Sequence, residues 1–294
     1  MGCIGDAIIA IQLLLRLVPK MQNGNDIDIS VIIPTYRRAR ELAEAIESVR
    51  SQQSAKVEII VVDDCPDGSA QEVAESFSNA GVRYLRNLVP SKGRPAIIRN
   101  MAWPLARGEF IHFLDDDDLV PKRHYERVLA AFAKHPNTSV VFGRIEPFGE
   151  DASALEHEMS YFKTARRRAK QLSWFGKRFA FSAWLNFAPT FTVCSSAVVR
   201  RNCVVEISGF DPQIELCEDV DFIARAILQG GAVMIDNTSI YYRIHSSLMH
   251  NKEDASEKLK RSYSRMQRRY RDRIGSAVYF LMRGFVVILK RVPC

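Results

Sequence analysis

Short apolar runs alternate along this chain with segments of helical periodicity, and this alternation limits the folds it can adopt. Residues 29–33 (ISVII), 57–62 (VEIIVV) and 110–114 (FIHFL) are continuous apolar runs, as expected of strands buried on both faces. Residues 39–52 instead place apolar side chains at helical spacing, at Leu42, Ala45, Ile46 and Val49. Strands that alternate with amphipathic helices predict an α/β fold with a mostly parallel sheet and helices on both faces.

Polar and acidic residues follow each of these apolar runs, where the strands should end. Residues 35–38 follow the first run, Asp63 and Asp64 follow the second, and residues 115–118, all aspartates, follow the third. Ligands of open α/β sheets bind beyond the carboxyl ends of the strands, so these residues should share a cleft. Adjacent carboxylates repel one another, and a hard cation such as Mg²⁺ or Mn²⁺ relieves that repulsion. A solvated acidic loop is the alternative interpretation.

The composition is that of an ordinary globular protein. Over 294 residues, 47% are hydrophobic and 26% are charged. The six cysteines are scattered without a Cys-x-x-Cys pair, which leaves neither a zinc-knuckle spacing nor a dense disulfide framework. They are therefore expected to be small core residues in a reducing cytoplasm.

The excess positive charge is confined to one stretch near the end of the sequence. The net charge is +7, and residues 258–273 hold eight Lys and Arg residues against one acid, so the remainder is balanced. A nucleic-acid-binding protein more often carries basic charge across its folded domain, with aromatic side chains for base stacking. No such aromatic platform accompanies this stretch, so we expect no nucleic-acid partner.

Three parts can be distinguished along the chain. Residues 1–27 predict a short apolar helix and a linker, residues 28–250 predict the α/β domain, and residues 251–294 predict a basic and then apolar helical tail. No signal peptide is expected, because the first apolar segment lacks a positively charged start and a cleavage site. Residues 146–188 are irregular, aromatic and basic, residues 190–200 predict a further strand, and residues 232–235 and 238–244 predict two short strands.

The tail suggests a membrane surface as a partner. No uncharged apolar run is long enough to predict a transmembrane helix, and Arg283 interrupts the apolar part of the tail. An arginine near the centre of a spanning helix costs at least ~2.5 kcal/mol, so a helix lying in the plane of an anionic membrane is favoured. The alternative is a helix that packs on the α/β domain and leaves its basic face to solvent.

Five motifs occur in an order that resembles a known family. They are SVIIPTYRR (30–38), EIIVVDD (58–64), PAIIRN (95–100), GEFIHFLDDDD (108–118) and GFD with CEDVDFIAR (209–225). Together they resemble the family 2 glycosyltransferases of GT-A fold over about residues 28–245. The resemblance implies a nucleotide-sugar donor, Mn²⁺ or Mg²⁺ as cofactor, and inversion at the anomeric carbon by direct displacement.

The resemblance also implies a role for each matching residue that would bind the donor. Asp64 would accept a hydrogen bond from the base, Asp116 would contact the ribose, and Arg99 would reach the base or the diphosphate. The full set of implied nucleotide-sugar-binding residues is Pro34, Thr35, Tyr36, Arg38, Asp64, Arg99, Asp115, Asp116 and Glu218.

The same resemblance assigns the catalytic and metal-binding positions. Asp219 would be the general base, which the reaction needs because an acceptor hydroxyl is a poor nucleophile. Asp117 would bind the metal, which would stabilise the charge on the departing nucleoside diphosphate, and His245 would be a further ligand, of the metal or of a phosphate. Simple N-capping is the alternative for Glu218 and Asp219, and a structural role is the alternative for His245. His112, within an apolar run, is expected to be a hydrogen-bonded core residue.

Two features of the sequence qualify the resemblance. Pro121 comes one position earlier than in many members, which leaves open which of residues 115–118 touches the metal. The Q-x-x-R-W segment that accompanies processive synthesis in this family is absent from the sequence, which implies transfer of a single sugar.

The sequence therefore predicts an inverting, metal-dependent glycosyltransferase that uses a nucleotide sugar, with a UDP-sugar favoured by the resemblance. Its acceptor would be a glycan or a lipid-linked molecule in cell-surface polysaccharide synthesis, and its location the cytoplasmic face of the membrane. A sugar nucleotidyltransferase is a second hypothesis, but it should carry a Gly-rich basic loop after the first strand, unlike PTYRR here. The third is a non-catalytic protein that binds a nucleotide sugar or docks on a membrane.

Overall fold

The computed structural model describes residues 27–245 and 252–293. Its strands are β1 (Ile29–Thr35), β2 (Val57–Asp63), β3 (Val82–Arg86), β4 (Phe110–Phe113), β5 (Val140–Phe148), β6 (Ala197–Arg200) and β7 (Ala232–Arg243). Its helices are α1 (Ala39–Arg50), α2 (Gln71–Ser76), α3 (Pro95–Ala102), α4 (His124–Lys134), α5 (Ala152–Leu172), α6 (Phe179–Phe187), α7 (Arg201–Glu206), α8 (Glu218–Gly230), α9 (Lys252–Ile274) and α10 (Ser276–Arg291). The N-terminal helix predicted within residues 1–27 falls on positions 1–26, outside the described residues.

The described strands form one sheet in the order β3-β2-β1-β4-β6-β5-β7. β1 pairs in parallel with both β2 and β4, β2 pairs in parallel with β3, and β5 pairs in parallel with β7. β6 alone among them runs antiparallel, between β4 and β5. The carboxyl ends of β1, β2 and β4 consequently meet at one edge of the sheet, as the polar residues after the apolar runs predicted.

Strand β1 continues through a proline at which the sequence predicted its end. The Ile32 carbonyl accepts a hydrogen bond from the Leu114 amide at 3.0 Å, so alternate residues from Ile32 onward face β4. Pro34 therefore faces β4 as well, but beyond Phe113, the last β4 residue that pairs with β1. The missing amide hydrogen of the proline costs no ladder hydrogen bond, and the strand extends to Thr35.

Helices cover both faces of the sheet, as predicted. On one face Leu42 and Ile46 of α1 pack in a core with Phe132 of α4. On the other face α3, α6 and α8 pack in a second core, which includes Phe181 and Ile223. The four apolar positions predicted to form the buried face of α1 are all buried. The two cores hold the sheet rigid beneath the edge where the polar residues gather.

Three local predictions were wrong. The segment 146–188 is not irregular, because it contains α5 and α6. The apolar stripe that α5 buries is narrow, with Phe162, Ala169 and Leu172. Because basic residues interrupt it, the helical periodicity is not evident in the sequence. Within residues 190–200 the strand is only β6, and a single strand, β7, replaces the two short strands expected in residues 232–244.

The tail packs on the α/β domain. Met266 and Tyr270 of α9 and Tyr279, Val286 and Leu289 of α10 are buried in the same core as α6 and α8. This is the packing alternative considered from the sequence, and it makes α9 part of the domain surface. In residues 27–245 and 252–293 the structure contains no helix with the length and hydropathy needed to cross a bilayer.

Candidate active site

One cleft of about 890 Å³ at the carboxyl edge of the sheet is lined by twelve of the residues that the sequence singled out for donor, metal or acceptor chemistry. Its walls come from the ends of β1, β2, β4 and β7 and from the first turns of α3 and α8. The predicted residues that line it are Pro34, Thr35, Tyr36, Arg38, Asp64, Arg99, Asp115, Asp116, Asp117, Glu218, Asp219 and His245. Lys92, Arg94 and Arg243 line it as well.

At one end of the cleft a network of hydrogen bonds holds Asp64. Its Oδ1 accepts from the Asn87 side-chain amide at 2.7 Å and from the Ser91 backbone amide at 2.8 Å. Its Oδ2 accepts only from the Ser91 hydroxyl, at 2.6 Å, which leaves that oxygen a lone pair for a ligand. The carboxylate is thus fixed in one orientation beside Pro34 and Tyr36.

The acidic run after β4 gives each aspartate a different partner. The Arg99 guanidinium donates to Asp115 at 2.6 Å, and the Arg38 guanidinium reaches Asp116 at 3.1 Å and Asp117 at 2.5 Å. The predicted metal ligand, Asp117, also lies 2.9 Å from His245 Nε2.

The last residue of the run, Asp118, turns away from the cleft. It is fully buried and accepts a hydrogen bond from the Arg243 backbone amide at 3.0 Å. Asp118 therefore does not line the cleft, which removes it from the four aspartates that the sequence had left open as metal ligands.

Burial and mutual repulsion keep these carboxyls from ionising freely. Loss of solvent, together with the charge of the neighbouring Asp117, raises the pKa of Asp116 to about 6 against the pull of Arg38. Burial and the charge of Asp115 also raise the pKa of Asp117. Burial raises the pKa of Asp118 well above its ordinary value. The run is therefore short of positive charge at the mouth of the cleft.

These residues fit a divalent cation with few protein ligands. Asp117 supplies a carboxylate oxygen and His245 an imidazole nitrogen within 2.9 Å of one another. No group of three or more His, Cys, Asp or Glu side chains in the described part of the chain is arranged as a closed metal site. Mg²⁺ is commonly held by one or two protein groups and by substrate phosphates, which matches this open arrangement.

On the opposite wall Asp219 lies in the first turn of α8. Its Oδ2 accepts from the Cys194 amide at 3.2 Å, and its Oδ1 accepts from the Val220 amide at 2.8 Å. Loss of solvent raises the pKa of Asp219 to about 7, with a further contribution from Glu218, while Arg99 opposes the shift. A carboxylate whose pKa is near neutrality is suited to accept and release a proton.

N-capping does not account for the acidic pair. Cys217 occupies the N-cap position, with a backbone φ of 60° and without a side-chain capping bond. The Glu218 carboxylate accepts from Arg99 at 2.8 Å. Two residues further on, the buried Asp221 pairs with Arg225 at 2.7 Å in an i,i+4 contact.

Arg99 joins the two walls of the cleft. It is 3% exposed, and its guanidinium contacts Asp115 with one nitrogen and Glu218 with another. The guanidinium also lies over the ring of Phe210, 5.3 Å from its centroid. The neighbouring carboxylates raise the pKa of Arg99 well above its ordinary value despite its burial. A permanent positive charge is therefore fixed between the acidic run and the acidic pair.

Several supporting residues were not identified from the sequence. Ser91 and Asn87 follow β3 at the same edge, and the turn residues around them were an available signal. Ser195, whose hydroxyl accepts from the Asp115 amide at 3.0 Å, carried no such signal. It lies beneath the acidic run because β6 runs antiparallel, which brings the start of that strand to the carboxyl edge. His112 is a buried core residue bonded to Tyr125 and to the Ser195 carbonyl, as predicted.

Known proteins share both sequence and fold with this chain. "Poly(ribitol-phosphate) beta-N-acetylglucosaminyltransferase TarS" of Staphylococcus aureus is 26% identical over 215 residues, which are 72% of this chain and 35% of that protein. "Minor teichoic acid biosynthesis protein GgaB" of Bacillus subtilis is 27% identical over 228 residues, 74% of this chain and 23% of that protein. The chain thus spans about a third or less of the length of these relatives.

Among solved structures, the crystal structure of S. aureus TarS 1-349 in complex with UDP-GlcNAc has a TM-score of 0.61 and 21% sequence identity. The match covers 82% of this chain and 66% of that one. This likeness confirms the predicted GT-A fold. Residues 30–206, which run from β1 to the end of α7, match the profile described as "Glycosyl transferase family 2". The chain therefore belongs to glycosyl transferase family 2.

Proposed function

We propose that this protein is an inverting glycosyltransferase that moves one sugar from a nucleotide-sugar donor, favouring a UDP-sugar, to an acceptor hydroxyl. The observation that carries the proposal is that Asp64, the first three aspartates of the acidic run (115–117) and Asp219 line a single cleft. The family match supports a glycosyltransferase, and the solved structure of TarS with UDP-GlcNAc supports the choice of donor. The relatives named for teichoic acid chemistry support a cell-surface polysaccharide as the acceptor class.

In this proposal Asp219 takes the proton of the acceptor hydroxyl as the hydroxyl oxygen attacks the anomeric carbon. The bond from that carbon to the diphosphate breaks, and its electron pair leaves with the nucleoside diphosphate. The amides of Cys194 and Val220 orient the Asp219 carboxylate, because each of its oxygens accepts from one of them. Arg99 fixes Glu218 beside it and so keeps a second carboxylate from turning into the path of the acceptor.

A divalent cation, Mn²⁺ or Mg²⁺, is part of the proposal. Asp117 and His245 would hold it, and the cation would stabilise the negative charge that develops on the departing diphosphate. Arg38 lies against Asp116 and Asp117 and keeps positive charge at that position. The Asp64 carboxylate, fixed by Ser91 and Asn87, would bind the base at the far end of the same cleft.

We also propose that the protein lies on the cytoplasmic face of a membrane, with α10 as the contact. Phe280, Leu281 and Ile288 on its outer face are 63%, 68% and 67% exposed. The ring of Phe285 packs against Phe175, so the 89%-exposed Trp174 extends this surface with a side chain typical of membrane interfaces. Substituting Leu281→Glu and Ile288→Glu together should abolish sedimentation with phosphatidylglycerol vesicles, and unchanged sedimentation would contradict the assignment.

Calorimetric titration with UDP, TDP and GDP tests the central proposal. We expect one nucleoside diphosphate to bind in the presence of Mn²⁺ and to lose most of its affinity in EDTA. Asp117→Ala should remove this metal dependence. Asp236→Ala is a matched control, because Asp236 is exposed and lies outside the cleft. If no nucleoside diphosphate binds under either condition, the glycosyltransferase proposal is wrong and a non-catalytic docking protein becomes the better description.

A further inference from the structure

A second concavity, here called the α9 groove, lies beside the active-site cleft. It has a volume of about 800 Å³ and runs between residues 260–269 of α9 and the loop 207–212 that precedes α8. Its lining includes Lys260, Arg261, Arg265, Arg268 and Arg269, and a single acidic side chain, Asp211. None of these residues belongs to the cleft described above.

The basic side chains of the groove follow from the helical periodicity of α9. Positions 260, 264 and 268 form one row and positions 261, 265 and 269 the next, so both rows face the same side. A separation of eight residues corresponds to about 12 Å along a helix, so the charges form an extended array. An array of this length suits a ligand that repeats its negative charge better than it suits one isolated phosphate.

Only part of this charge is needed to hold the fold together. Arg265 and Arg269 both pair with the buried Asp211, which anchors α9 to the loop before α8. Arg261 makes longer contacts with Glu215 and Glu257. Within residues 27–245 and 252–293, by contrast, Lys260 and Arg268 form no hydrogen bond or ion pair.

The groove adjoins the active-site cleft. Arg94, which lines the cleft, donates a hydrogen bond to the carbonyl of Pro212, which lines the groove. The loop between Pro212 and Asp219 is tied to α9 as well, because the Leu216 amide donates to the Ser262 hydroxyl at 3.3 Å. Through Leu216 the groove is connected to the segment that leads to Asp219, the side of the cleft from which an acceptor would approach.

The surroundings of the groove favour a soluble, charged polymer over a membrane or a nucleic acid. The apolar side chains Met266 and Tyr270 of α9 are buried against the domain and do not face outward. A lipid-facing helix would need exposed apolar side chains, and a nucleic-acid site would need exposed aromatic rings. The groove offers guanidinium and ammonium groups, which recognise phosphate oxygens.

We infer that the α9 groove binds the phosphodiester backbone of a polyanionic acceptor polymer and guides one of its hydroxyls toward Asp219. The inference rests on the proposed glycosyltransferase function and deepens it by naming the chemical class of the acceptor. Lys260 and Arg268, free of partners among the described residues, contact the polymer phosphates. Arg265 and Arg269 hold the groove open through Asp211.

The test measures binding of a fluorescent poly(ribitol phosphate) oligomer, with UDP binding measured in parallel on the same samples. In the test variant, Lys260→Glu and Arg268→Glu are combined. The matched control combines Lys163→Glu and Arg167→Glu, an equal change of charge at exposed positions of α5 outside both the groove and the cleft. We expect the test variant to bind the oligomer at least about tenfold more weakly, since two exposed ion pairs become two repulsive contacts. The control variant should bind like the unmodified protein.

Three outcomes would overturn the inference. Equal weakening in both variants would mean that the oligomer senses only overall charge. Unchanged binding in the test variant would mean that the polymer lies elsewhere. Equal loss of affinity for single-stranded DNA or for phosphatidylglycerol vesicles would make the groove a general anion or membrane contact. Because UDP binding is followed separately, its absence refutes the proposed function, whereas its presence with any of these outcomes refutes only the acceptor site.

Discussion

Replacing Asp219 with asparagine separates the proposed catalytic role of this carboxyl group from its cost to stability. The pKa of Asp219 rises from 3.8 to about 7, chiefly because the group loses solvent and secondly because Glu218 lies beside it, while Arg99 opposes the shift and Asp115 adds to it. A raised pKa in the folded state means that the protonated carboxyl stabilises the fold below about pH 4. That contribution is lost as the pH rises toward 7. Asparagine does not titrate. The free energy of unfolding of Asp219→Asn should therefore increasingly exceed that of the unmodified protein as the pH rises from about 4 toward 7.

The expected gain in the free energy of unfolding follows from the size of the Asp219 pKa shift. About three pKa units at 1.36 kcal/mol each set a ceiling of about 4 kcal/mol, and we expect about 2 kcal/mol because the side chain is partly open to the cleft. For a domain of this size that corresponds to a rise in melting temperature of about 4–8 °C at pH 8 and less at pH 5. Melting is followed without donor or divalent cation, and Asp236→Asn, at an exposed position, should show no such pH-dependent gain.

The same variant should lose the transfer reaction. An amide cannot take the acceptor proton, so kcat should fall by about 10²–10⁴-fold, while UDP affinity should remain. In the unmodified protein kcat/KM should rise with pH through about 7 as the base ionises, and the variant should lack this limb. Sugar transfer at the unmodified rate by Asp219→Asn would refute its role as base. An equal gain in melting temperature at pH 5 and pH 8 would refute the electrostatic reasoning.

Two further substitutions probe how the walls of the cleft are held. Arg99→Met should lower the free energy of unfolding by about 3 kcal/mol in urea titrations, because two acidic side chains lose their shared partner, and a change below 1 kcal/mol would contradict this. Gly209→Ala should cost about 2–4 kcal/mol, since φ is +64° and a Cβ would lie 2.3 Å from Trp103 Nε1. Gly284→Ala, with nothing within 4 Å, is its control and should be neutral or slightly stabilising.

The half of the sheet formed by β1, β2 and β4 could be predicted from the sequence because its signals are local. Buried parallel strands have continuous apolar sequences, and the polar residues that follow them must meet at one edge of the sheet. The sequence alone therefore predicts that residues as far apart as Asp64 and Asp117 lie in the same cleft. The spacing of apolar residues in α1 was equally direct, because only one face of that helix is buried.

The other half depends on pairings that no local pattern encodes. The antiparallel direction of β6 brings Ser195 under Asp115, and the sequence around Ser195 does not predict that direction. Helix α5 was missed because basic side chains interrupt its narrow apolar stripe. The prediction of a membrane-bound tail rested on its charge. The tail packs on the domain through buried residues such as Met266 and Tyr279.

The position of Arg99 has a consequence for how two substrates affect one another. One of its nitrogens is bound to Asp115 and the other to Glu218, so one positive charge stabilises both carboxylates. A donor that contacts Asp115 would change how strongly Arg99 attracts Glu218, which lies beside Asp219. Linkage then requires that an acceptor bound on that side change the affinity for the donor by the same factor. Donor and acceptor binding are thus expected to be cooperative, with a single buried guanidinium as the coupling element.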